Sequence, residues 1–281
     1  MRSNSGALSL MRIPQLAGTV EIGEVEFPSL RRNPLKDPSR RLVVVYLPPN
    51  YQKETKRYPL IVALAGFLGA SLSFLNFDPF APNLVQQADQ LIKKGLPPFI
   101  LAIPDGFTQY GGSQYKNSTA TGQYEDMIVD DFISWLQKNF RVSSSIGLVG
   151  KSSGGYGALM LGMKHPEIFS ALACHSGDMY FDWCYKRDIP IAAQVIGQYK
   201  NVENFVNELW RKVKRSPDEI AALNILAMSA CYSPDPRSPL GFDLPVNLKT
   251  GELQSEIWKK WLAFDPVFLV EKTPSTTGFK V

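Results

Sequence analysis

At 281 residues with 44% apolar side chains, the chain is long enough to bury one large core, and its 21 glycines and 21 prolines fall short of a disordered composition. Thirty basic against 26 acidic residues leave a net charge of +4, and the densest basic run, "RKVKR" at 211–215, reads as the solvated face of a helix, which argues against a nucleic-acid partner. Three widely spaced cysteines and two histidines fit free thiols and no metal or other cofactor; with no apolar signal run and no stretch near the ~20 residues of a membrane helix, a cytoplasmic protein without a membrane partner is expected.

In chain order, residues 1–40 are polar and punctuated by proline, a lead-in segment with one edge strand around "TVEIGEVEF". Short apolar runs follow: "RLVVVYLPPNY", "YPLIVALAGF", "PPFILAIPDG", "SIGLVG" and "FSALACHSGD". Their continuous character predicts strands covered on both faces. Helical patterns lie between them. "NLVQQADQLIKKG" ends in lysines and Gly95, a C-cap. "YEDMIVDDFISWLQKNF" spaces Met127, Ile128, Asp131, Phe132, Trp135 and Leu136 on one face, and "SGGYGALMLGMKHPEIF" is the third helix. Alternating strands and helices specify an α/β domain with a mainly parallel sheet and helices on both faces. From about 179 to 250 the pattern is helical only, an insertion after the sixth strand, and Ser216-Pro217-Asp218-Glu219 is a helix start with cap, first-position proline and capping-box glutamate. One domain over 1–281 is expected.

The stretch "GLVGKSSGGYGAL" carries Gly-x-Ser-x-Gly directly between a strand and a helix. That context sets Ser152 on a sharp turn above the carboxyl end of the sheet, beside a helix N-terminus that favours developing negative charge. Ser153 does not fit the pattern, and a phosphate-binding loop would need glycine where Ser145 stands. The alternative is a Gly/Ser turn that merely packs a helix on a strand. Oxyanion donors are expected from the backbone N–H of Ser153 and from Phe67, in the loop after "YPLIVALAGF".

Together, "VVVYLPPNY", "LIVALAGFLGA", "ILAIPDG", "GQYEDMIVDDFISWL", "GLVGKSSGGYGALMLGMKHPEIFSALACHSGD" and "WLAFDPV" resemble the putative-esterase family of α/β-hydrolases. That family includes esterase D and S-formylglutathione hydrolases, enterochelin-esterase-like enzymes, feruloyl esterases and mycolyltransferases of the antigen 85 type. The resemblance runs from about residue 40 onward. It implies an α/β-hydrolase fold and a Ser-His-acid mechanism on small-molecule esters. Ser152 would be the nucleophile, and Phe67 and Ser153 the oxyanion donors. Leu68, Tyr156 and Asp178 are candidates for the substrate pocket. Tyr110, Tyr115, Trp183 and Tyr185 either join Tyr156 there or serve packing.

In such hydrolases acid and base follow the serine in that order. The two histidines here suit neither place: His165 ends the helix after Ser152, and His175, near the end of the next strand, either lines the site or is a buried, hydrogen-bonded side chain. Asp178 could touch substrate or replace the usual acid, while Lys151 points away from Ser152. The segment "GFKV" at 278–281 reads as the start of a further strand, so acid, base and the last strands are expected beyond Val281. A fragment of a longer esterase, weak or inactive alone, is favoured over a relative that became a binding protein. Acyl transfer is not separable from hydrolysis.

Overall fold

The structure is a computed structural model that describes residues 16–270. Six strands form the main sheet: β1 (Thr19–Glu26), β2 (Arg40–Leu47), β3 (Tyr58–Leu64), β4 (Ile100–Ile103), β7 (Val142–Lys151) and β8 (Ala171–His175). A small antiparallel ladder, β5 (Asn117–Ser118) with β6 (Gly122–Gln123), sits in the β4–β7 connection. The sheet order is β1-β2-β4-β3-β7-β8, and β2 alone runs against its neighbours. This mixed, mostly parallel sheet with helices on both faces is the α/β-hydrolase architecture the sequence implied.

Helix α1 (Leu84–Lys93) covers one face, where Val85 and Ala88 pack on Val44, Tyr46, Ala63 and Leu101. Its Asn83–Gln86 capping box opens it, and Gly95, at φ +105°, follows its end as expected. The other face takes a helix over 124–139 and α4 (Ser153–Lys164). The first comprises α2 (Tyr124–Asp126), a π-helical stretch Met127–Phe132 and α3 (Ile133–Asn139). The widened turn puts Met127, Ile128 and Phe132 in the core while Asp131 accepts the Ser29 N–H at 2.8 Å.

The alternate-residue pattern of β2 shows why its run is continuous. Val43, Val45 and Leu47 face one helical layer, and Val44 and Tyr46 face the other. That expectation fails at β8, which alternates between exposed and half-buried because it has one strand neighbour among the described residues. β1, expected as an edge strand, stands at the other end of the sheet and exposes most of its residues.

After β8 come α5 (Phe181–Cys184), α6 (Ile189–Ile196), α7 (Val202–Arg211) and α8 (Pro217–Tyr232). α8 is buried nearly all round and packs on α6, forming a second core joined to α4 through Tyr156. Not all of 179–250 is helical: residues 233–254 are irregular, crossed by the bridges Pro234–Phe242 and Val246–Leu253. α7 ends at Arg211, so the basic run continues as loop, with Lys212 paired to Glu219 and Arg215 donating to Leu209 O. α9 (Ser255–Leu262) and α10 (Pro266–Val270) follow. Between them Asp265, fully buried, accepts the N–H groups of Tyr180 and Phe181 and ties this segment to the start of α5. No helix among the described residues is long and apolar enough to cross a membrane. The strand expected at 278–281 lies outside the described residues.

Candidate active site

The chain winds one way from β3 to β4 and the other way from β7 to β8. The carboxyl ends of the adjacent β3 and β7 therefore flank the point where the winding reverses, which is where crevices open in α/β sheets. Ser152 stands at that point, between the last residue of β7 and the first of α4, at φ 54° and ψ −126°. A non-glycine residue held there is strained by roughly 1–3 kcal/mol. Its neighbours explain how the turn is kept. A Cβ added to Gly150 would stand 2.1 Å from Gly154 O, and one added to Gly154 would stand 2.0 Å from Leu64 O. Helix α4 thus rests backbone-to-backbone on β7 and β3, and no side chain fits at either position.

The β3 loop closes over the other side. Gly66 lies so near the turn that an added Cβ would be 3.5 Å from Ser152 Cβ. Leu68, at φ 62°, donates its N–H to Gly111 O at 2.9 Å, and Tyr115 Oη donates to Ala65 O at 2.9 Å. Between them, the Phe67 N–H has no protein partner among the described residues. Gln114, Tyr115, Ser176 and Tyr180 also have positive φ, so irregular backbone clusters around this end of the sheet.

Asp178 is the centre of the polar network. It is 7% exposed and accepts from Ser152 Oγ (3.1 Å), Ser153 Oγ (2.7 Å), Tyr185 Oη (2.7 Å) and Gln114 Nε2 (3.2 Å). Gln114 Nε2 also reaches Tyr185 Oη (3.0 Å) and Tyr232 Oη (2.8 Å). Burial, above all, pushes both tyrosine hydroxyls well above their ordinary value, so both stay protonated. Four donors fix the Asp178 carboxyl group in place beside the serine.

The expected residues divide clearly. Ser152, Ser153 and Asp178 are brought together, with Phe67 and Leu68 in the facing loop. Tyr156 lies inside: it is 1% exposed, packs on Phe181 and Tyr232, and its hydroxyl donates to Phe264 O. Tyr115 and Tyr185 are also core, Tyr110 stacks edge-on with Phe242, and Trp183 is 75% exposed, so these aromatics form no common pocket around Ser152.

Neither histidine reaches Ser152 Oγ. His165 Nε2 pairs with Glu125 at 2.9 Å, at the far end of α4. His175 is exposed rather than buried and hydrogen-bonded as expected. Its carbonyl accepts the Ser152 N–H, but β8 alternation turns its ring away: Cys174 faces α4, so His175 faces the opposite side with its register partner Lys151. Gln114 and Tyr232 were not foreseen. They come from an irregular loop and the end of α8, and no spacing in the sequence links them to the serine.

Residues 38–276 match the model of a protein family described as "Putative esterase". The chain is similar to the uncharacterized protein YbbA of Bacillus subtilis, 25% identical over 157 residues covering 50% of this chain and 58% of that protein. It is also similar to Esterase Rv1288 of Mycobacterium tuberculosis, 26% identical over 139 residues covering 48% of this chain and 28% of that protein. It therefore spans less than two thirds of either curated relative. Among solved structures it is similar to an S-formylglutathione hydrolase from Agrobacterium tumefaciens, at 14% identity and a TM-score of 0.48, covering 88% of this chain and 83% of that one. Because the family match runs from β2 past α10, through the serine turn and the helical insertion alike, the chain belongs to this esterase family.

Proposed function

We propose that the protein hydrolyses carboxylic esters of small molecules through an acyl intermediate on Ser152. The observation that carries the reading is the strained Ser152 at the α4 N-terminus, at the winding reversal of the sheet, in a chain of this family. Attack of Oγ on the ester carbonyl forms a tetrahedral oxyanion. The N–H groups of Phe67 and Ser153 stabilise it, and removing one such donor typically costs about 10²–10³ in rate. Collapse expels the alcohol and leaves the acyl-serine, which water then hydrolyses. Asp178 holds the serine turn. The attack needs a general base to take the Ser152 proton, and neither histidine of the chain is placed to do it: His165 is bound to Glu125 and His175 faces the opposite side of the sheet.

The test is turnover of p-nitrophenyl acetate by this chain with and without added imidazole. Turnover above the rate of imidazole alone is expected to be slow, to rise with imidazole acting as the base, and to vanish in Ser152→Ala. Turnover indifferent to Ser152→Ala overturns the nucleophile. Full esterase rates without imidazole overturn the reading that neither histidine of the chain serves as the base. A second reading, ligand binding without turnover, is favoured by the same placement of both histidines; Ser152-dependent turnover with imidazole counts against it.

A further inference from the structure

The two oxygens of the Asp178 carboxyl group are used unequally. Oδ2 takes three donors: Ser153 Oγ at 2.7 Å, Tyr185 Oη at 2.7 Å and Gln114 Nε2 at 3.2 Å. Among the described residues Oδ1 takes Ser152 Oγ alone, at 3.1 Å, and Ser152 Oγ bonds to no other side chain. The group is thus anchored by one oxygen and presents the other to the serine. Its three anchors are neutral, two hydroxyls and an amide, so a proton arriving on Oδ1 breaks no ion pair with them. At 7% exposure, water competes little for the group.

We propose that Asp178 is the general base of the reaction and acts on Ser152 directly, with no histidine between them. The inference rests on Ser152 as the nucleophile and supplies the base that reading needs. As Oγ bonds to the ester carbonyl carbon, its proton passes to Oδ1 and the carbonyl electron pair moves onto the oxygen. Negative charge thus leaves the carboxylate and arrives at the N–H groups of Phe67 and Ser153. On collapse the Oδ1–H proton goes to the departing alkoxide, so the alcohol leaves neutral and Asp178 is an anion again. Water then takes the place of the alcohol, gives a proton to Oδ1 and attacks the acyl carbon. Collapse of this second adduct breaks the bond to Oγ, which recovers its proton from Oδ1 as the carboxylic acid leaves.

The separation of 3.1 Å lies within the reach a general base needs. A carboxylate is ordinarily a weaker base than an imidazole, so such a pair runs slowly and added imidazole still speeds it.

Release of p-nitrophenol from p-nitrophenyl acetate in imidazole-free buffer tests the proposal. The parent chain is expected to show release that Ser152→Ala abolishes. Asp178→Asn keeps an oxygen where Oδ2 accepts its three donors and puts an amide N–H where Oδ1 took the proton. Verified as folded by its melting curve, it should be slower by at least about tenfold, since a positioned base contributes roughly 10²–10⁴ in rate, and should recover when imidazole is added. Parent-like release by this variant overturns the base. So does a folded variant that imidazole does not rescue, because Asp178 is then only a structural part of the turn. The parent decides the matter even where the variant does not fold. Ser152-dependent release that needs imidazole overturns the base and leaves the nucleophile, whereas release indifferent to Ser152→Ala overturns both.

Discussion

Ser152 and Asp178 show how much a single residue's environment decides. The serine's dihedrals are unfavourable alone and persist because Gly150 and Gly154 let α4 settle against β7 and β3. Asp178 has its cost of burial offset by four donors. Asp178→Ala removes that acceptor and leaves the Ser153 and Tyr185 hydroxyls without one. An orphaned buried donor costs about 1–3 kcal/mol, so a destabilisation of about 2–4 kcal/mol is expected in urea titration. A loss under 1 kcal/mol would mean that the network contributes little to the fold. Asp178 was legible as a residue near the site because it ends "CHSGD", and Ser153 and Tyr185 were candidates beside it, but no pattern marked Gln114, 64 residues away, as its fourth partner.

At the scale of elements, local chemistry and tertiary context divide the work. The start of α8 follows directly from its residues: Ser216 Oγ accepts the Glu219 N–H at 3.2 Å, and Glu219 Oε2 accepts the Ser216 N–H at 2.8 Å. Ser216→Ala is expected to cost about 1 kcal/mol, read as a lowered melting temperature, and Ser216→Asp to restore most of it. Local signals also placed α1, α4 and the six strands of the main sheet. They did not place the π-helical turn at Met127–Phe132, since the apolar spacing there suits either helix. Nor did they show that 233–254 leaves helical geometry, because two isolated bridges hold it to its own chain rather than to a repeated pattern.

Over the whole molecule, buried carboxylates tie distant segments together. Asp89, 1% exposed, accepts the N–H groups of Ala17 and Gly18 and the Tyr46 hydroxyl, and pairs with Lys93, so it joins the first strand's approach to α1. Glu125 joins the 124–139 helix to Lys164 and His165 at the end of α4. Burial alone would raise both acids, but the bonds from Lys93, Gly18 and Tyr46 to Asp89, and from Lys164 and His165 to Glu125, outweigh it and leave both below their ordinary values of 3.8 and 4.5. A carboxyl depressed in the folded state stabilises above its unfolded pKa and loses that contribution as pH falls through the folded one. The urea midpoint should therefore hold from neutrality to about pH 5 and fall below it, and Glu125→Gln should shrink that fall. An unchanged acid limb in the variant would remove Glu125 from the account.

What the amino-acid order determined by itself was the class of fold and the position of the Ser152 turn between strand and helix. Strand, Gly-x-Ser-x-Gly and helix are contiguous, and hydrophobic periodicity and capping act over a few residues, so both could be read in place. Only the tertiary structure decided which side of the sheet His175 faces, that Tyr156 and Tyr185 are core, and that Gln114 and Tyr185 converge on Asp178 while Gln114 also reaches Tyr232. Those relations join residues up to 118 positions apart, as with Gln114 and Tyr232, and arise where loops and helix ends meet over the sheet. No short-range pattern records them, because long-range side-chain contacts leave the local backbone preferences of each partner unchanged.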